Sequence, residues 1–104
     1  MTEARLKARI SALLTERGYF FRRFAGSVFM RSGIPDFFVM LPGGRACWIE
    51  VKRPGRYFDV WAGCKRDSPA QYAFLTAVNA GGGIGMCVDS LEAVAKTLAA
   101  EFGA

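Results

Sequence analysis

Apolar residues near the amino terminus recur at helical spacing, at Leu6, Ile10, Leu13 and Leu14. The pattern predicts a helix over residues 3–17, with Thr2 as its N-cap and Gly18 as its stop. Tyr19 to Phe24 and Ser27 to Arg31 alternate weakly around Ala25-Gly26, as a strand followed by an irregular approach to Gly33. The strongest pattern is SGIPDFFVMLPGGRACWIEVKRP, residues 32–54: two short apolar strands about a Gly-Gly turn. Its Phe37, Phe38, Val39, Met40, Leu41, Trp48, Ile49 and Val51 are apolar on both faces, as in a central strand pair covered on both sides. Residues 53–67 lack clear periodicity, which predicts a long functional or interface loop. Ser68-Pro69-Ala70-Gln71 reads as an N-cap, an N1 proline and a capping-box glutamine, opening a helix with Phe74, Leu75 and Val78 inward and Gly81-Gly82-Gly83 at its end. A buried strand over Ile84 to Val88 follows. Asp89 with Glu92 then makes a capping box for a last helix whose stripe is Leu91, Val94, Ala95, Leu98 and Phe102. The order helix, strands, helix, strand, helix predicts an α/β fold, a mixed sheet flanked by helices, in one domain over residues 1–104.

Three ionisable residues interrupt the apolar hairpin: Asp36, Glu50 and Lys52. Strand alternation points Glu50 and Lys52 one way and Val51 the other. A loop of Pro42, Gly43 and Gly44 pairs Leu41 with Arg45 and so Asp36 with Glu50, placing both carboxylates on one face. A Gly43-Gly44 loop would instead pair Asp36 with Val51 and separate them. Adjacent carboxylates repel unless a cation lies between them, and hard oxygen ligands suit Mg2+ or Mn2+. A lysine further along that face can orient or deprotonate a water, or neutralise a phosphate. The plainer alternative is an exposed hairpin with an ordinary Glu/Lys ladder. Charges among apolar neighbours favour function.

The run Ser32-Gly33-Ile34-Pro35-Asp36, the Pro42-Gly43-Gly44-Arg45 turn, Ile49-Glu50-Val51-Lys52 and Ser68-Pro69-Ala70-Gln71 together resemble the VRR-NUC branch of the PD-(D/E)XK nucleases, particularly its small standalone and phage-type members. The resemblance covers nearly the whole chain. It implies a restriction-endonuclease-like core and a metal-dependent nuclease, in which Asp36, Glu50 and the Val51 carbonyl hold the metal and Lys52 is the catalytic lysine. It also implies a supporting glutamate on the first helix, a role that falls to Glu3, about 35° from the centre of the apolar stripe at 100° per residue. Glu3 equally suits the macrodipole of a first helical turn. Gln71 is implied near the active centre, beside its reading as a cap. The 53–67 segment is longer than the family connection often is. One active site cuts one strand, so cleaving both strands or a four-way (Holliday) junction calls for two sites about a two-fold axis and favours a homodimer.

Fourteen basic against nine acidic residues give a net charge of +5, which favours a polyanion such as DNA. Arg22, Arg23 and Arg31 interleave with Phe20, Phe21, Phe24 and Phe29 and are candidates for phosphate contact. So are Arg53, Arg56, Lys65 and Arg66, beside Tyr57, Phe58 and Trp61, in a loop that could grip DNA, cover a dimer partner, or do both. The absence of histidine removes or badly handicaps the usual zinc, Ser-His and His-metal sites. Cys47, Cys64 and Cys87 lack CxxC spacing and read as reduced thiols. No apolar run approaches the roughly 18 residues that span a bilayer, so the expectation is a soluble, cytoplasmic protein. No phosphate-binding loop points to an organic cofactor. Two other functions fit the same fold: a catalytically silent DNA-binding module and a pure interaction subunit.

Overall fold

The computed structural model describes residues 1–24 and 33–102. The first helix, α1 (Glu3–Glu16), starts where the Thr2 hydroxyl accepts a hydrogen bond from the Arg5 amide at 3.1 Å. It buries Leu6, Ile10 and Leu14 and gives way at Gly18. There follow β1 (Phe20–Arg23), β2 (Phe37–Met40), β3 (Ala46–Val51), α2 (Val60–Asp67), α3 (Pro69–Ala80), β4 (Ile84–Val88) and α4 (Leu91–Phe102). The sheet order is β1-β2-β3-β4, antiparallel through β3, with β4 parallel to β3. This is the expected mixed sheet with one helix more than the sequence pattern indicates.

The β2–β3 hairpin takes the register of the longer loop. Phe37 pairs with Ile49 and Phe38 with Trp48, so the next step outward sets Asp36 opposite Glu50. The Leu41 amide donates to the Arg45 carbonyl at 2.8 Å. Pro42–Gly44 is a single 3-10 turn in which Gly43 and Gly44 have φ of +82° and +81°, a region open to glycine without steric cost.

Alternation along these strands sorts the core. Phe37, Val39, Cys47, Ile49 and Val51 form one buried cluster with Leu6, Ile10 and Leu14 of α1 and Val94 and Leu98 of α4. On the other face Trp48 lies edge-on to Phe74 of α3, ring centroids 4.7 Å apart, with Phe38 at 5.1 Å. The sheet is therefore sandwiched, α1 and α4 on one side, α2 and α3 on the other.

Four expectations change. Residues 53–67 are not a plain loop, because 60–67 form α2, capped by the Asp59 carboxylate accepting from the Ala62 amide at 3.1 Å. Only Gly63 and Cys64 of that helix are buried, too narrow a stripe to register as periodicity. The last helix is capped one residue later than expected, since the Ser90 hydroxyl, not Asp89, accepts from the Ala93 amide at 3.2 Å. Ser68 holds the N-cap position of α3 without capping it; its hydroxyl accepts from Lys52 instead. And β4 is half-buried except at Val88, because it is an edge strand. Ser27 to Arg31, including Arg31 itself, lies outside the described residues. The three cysteines are free, and no helix among the described residues is long and apolar enough to cross a membrane.

Candidate active site

The site is built at the end of the two central strands. Asp36 is the last residue before β2, where its Oδ2 accepts a hydrogen bond from the Val51 amide at 2.8 Å. That bond ties the Asp36 carboxylate to the Glu50-Val51-Lys52 backbone. Gly33 prepares the approach: its φ is +94°, and a Cβ there would stand 2.9 Å from the Ala70 Cβ. The chain leading to Asp36 thus lies against the first turn of α3, which carries Gln71.

Glu50 is 7% exposed. Burial, and then the neighbouring Asp36 carboxylate, push its pKa up to about 7. Lys52 follows β3, where its amide donates to the Val88 carbonyl at 2.8 Å. Its Nζ stands 3.4 Å from Glu50 Oε2 and donates to the Ser68 hydroxyl. Burial works against the Lys52 ammonium, but Glu50 outweighs it and the pKa rises. Two carboxylates and one firmly charged lysine therefore share the site. The Val51 side chain belongs to the α1/α4 core, leaving its backbone as the part adjacent to the acids. Cys64 and Cys87 lie within a thiol–thiol contact beside Glu50 and Lys52, and burial pushes both thiols up.

Lys7 was not singled out by the sequence reading. Its Nζ lies 3.1 Å from Asp36 Oδ1 and 3.2 Å from Glu3 Oε2. Burial pulls the ammonium pKa down, but Asp36 and Glu3 together raise it. Glu3 therefore reaches the site through Lys7, with its side chain 44% exposed. The available signal was the i, i+4 spacing of Glu3 and Lys7, next to the inward stripe.

The remaining candidates sit apart from this cluster or at its rim. Gln71 is half-buried and has no hydrogen-bond partner among the described residues. Arg22 and Arg23 are exposed on β1, with Arg22 4.4 Å from the Phe20 ring centroid and Arg23 5.5 Å from that of Phe37. Arg53 is exposed directly after Lys52. Arg56 and Arg66 both lie over the Tyr57 ring, and Lys65 over that of Tyr72. Trp61 packs on Tyr72 at 5.0 Å and is half-buried within the chain.

Among the described residues no three His, Cys, Asp or Glu side chains converge as a metal cluster. The donor set that the resemblance implies is smaller: Asp36, Glu50 and the Val51 carbonyl. That set fits Mg2+ or Mn2+, since Mg2+ keeps several waters and needs only one or two carboxylates. Burial first and Asp36 second raise the Glu50 pKa, and a cation between the two acids would relieve the second of these.

No family model and no curated protein matches the chain. A solved structure described as a VRR_NUC domain matches over 90% of this chain and 90% of that one, with a TM-score of 0.66 and 24% identity. At that identity the likeness speaks for the backbone, and the chain has the fold of a VRR_NUC domain.

Proposed function

We propose that the chain is a divalent-metal-dependent DNA nuclease of the PD-(D/E)XK type. The carrying observation is the junction of three functional groups at one strand end: Asp36 bound to the Val51 amide, Glu50 buried beside it, and Lys52 3.4 Å from Glu50. Asp36, Glu50 and the Val51 carbonyl would hold Mg2+ or Mn2+, with Glu3 close by. The ion would supply Lewis-acid polarisation of the scissile phosphodiester.

Lys52 would orient or deprotonate the attacking water and set its positive charge against the charge developing on the phosphate. Ser68, by accepting from Nζ, fixes where that charge points. Gln71, in the helical turn beside the approach to Asp36, orients the water or the scissile phosphate. Arg22, Arg23, Arg53, Arg56, Lys65 and Arg66, together with Arg31, supply phosphate contacts. Two copies about a two-fold axis would let the protein act on both strands or on a branched substrate.

The test is incubation with labelled single strands, duplexes, flaps and four-way junctions, with Mg2+ or Mn2+ and with EDTA. Metal-dependent cutting, strongest on branched DNA, is expected. Salt-sensitive DNA binding without cutting under any metal would instead identify a silent binding module.

A further inference from the structure

Phe58 is fully exposed, at 109% of its reference surface. A lone exposed aromatic is ordinary. This one rims a groove of about 300 Å³, formed with Arg56, Tyr57, Asp59, Ala62, Gly63 and Arg66. The Tyr57 ring is fixed there: its hydroxyl donates to Asp67 Oδ2 at 2.6 Å, and it lies against Gly63, where a Cβ would collide with it. The Arg56 and Arg66 guanidinium carbons stand 5.4 and 5.6 Å from its centroid. Charge in the segment favours a polyanion, with Arg53, Arg56, Lys65 and Arg66 against Asp59 and Asp67. Both aspartates already have partners inside the protein, Asp59 in the Ala62 amide and Asp67 in Tyr57 and Arg66, and the Arg66–Asp67 pair offsets one of those cations. Arg56 makes no ion pair among the described residues.

We propose that this groove receives an unpaired base of the DNA, stacked on Phe58, with Arg56 and Arg66 on the flanking phosphates. The proposal rests on the nuclease reading and names the feature of the substrate that it selects. Duplex bases have both faces covered by their neighbours, so only a gap, flap or branch offers a face to Phe58. Phe58 is six positions beyond Lys52, a backbone reach of at most roughly 22 Å, so such a base lies within a few nucleotides of the cut. The volume suits one base at the lower end of ligand-sized pockets.

The experiment measures binding in EDTA to a continuous duplex and to a gapped duplex carrying 2-aminopurine at the unpaired position. Phe58→Ala should weaken gapped-duplex binding roughly tenfold, abolish the stacking quench and leave continuous-duplex binding and the melting temperature unchanged. Arg56→Ala with Arg66→Ala should weaken both and flatten the salt dependence. A Phe58→Ala variant that still prefers the gapped duplex as the parent does overturns the proposal, and so does one that loses mass in sedimentation, which assigns the surface to a second copy. Binding selectivity without metal-dependent cutting would sink the nuclease reading and leave the groove standing. Cutting with an indifferent Phe58→Ala variant does the reverse.

Discussion

The Lys7 ammonium stands 3.1 Å from Asp36 Oδ1, the carboxylate whose other oxygen holds the Val51 amide. A cation supplied by the first helix thus lies on an oxygen that the proposed divalent ion would take. Lys7→Met should tighten Mg2+ or Mn2+ binding, by roughly two- to fivefold for a partly exposed ion pair. Calorimetry on the metal-free protein checks it. Weaker metal binding in the variant would show that Lys7 positions Asp36 rather than competing for it.

Lys52→Ala removes the charge proposed to lie beside the scissile phosphate but leaves Asp36 and Glu50 in place. Turnover should fall by roughly 10²-fold or more, while metal affinity persists. Loss of metal affinity together with activity would give Lys52 a structural role. Ser68→Ala should show a weaker form of the same effect, because it only holds Nζ.

The raised Glu50 pKa makes the metal-free protein pH-sensitive. The ordinary value is 4.5, and burial together with Asp36 lifts it to about 7 in the folded chain. The folded state therefore binds this proton more tightly than the unfolded state, and the associated stability is complete below about pH 4.5 and lost as pH rises through 7. The neighbouring Lys52, Cys64 and Cys87 are raised from values above that window. Denaturant unfolding in EDTA should lose roughly 1–3 kcal/mol across it. In Glu50→Gln that slope should be absent. An unchanged slope in the variant would place the titration elsewhere.

Gly33 and Gly43 separate two costs of a side chain. Both have positive φ, but at Gly43 nothing lies within 4 Å of a Cβ, whereas at Gly33 it would meet Ala70 at 2.9 Å. Gly43→Ala should lose roughly 1 kcal/mol to backbone strain, and Gly33→Ala roughly 2–3 kcal/mol in thermal or denaturant melts. Equal losses would mean that the contact between the Asp36 approach and α3 carries no stability.

How much was legible in the sequence follows from where the information is stored. The Asp36–Glu50 pairing could be read as one of two hairpin registers, because alternation leaves only loop length to choose between them, and the turn takes the longer loop. The helix at α1 and its Thr2 cap were equally plain, since both are local. Lys7 and Ser68 were not, because their site partners, Asp36 and Lys52, are 29 and 16 residues away, and no periodicity encodes a contact across that distance. Helix α2 escaped for another reason: an eight-residue helix that buries a glycine and a cysteine leaves almost no apolar stripe.

The most direct measurement of the central claim is cleavage of labelled DNA in Mg2+ by the parent, Asp36→Asn and Glu50→Gln. Each substitution keeps the shape and removes one formal charge from the proposed metal ligands. Cutting should vanish in both variants while DNA binding in EDTA stays at the parental level. Near-normal Mg2+-dependent turnover in either variant would contradict the assignment.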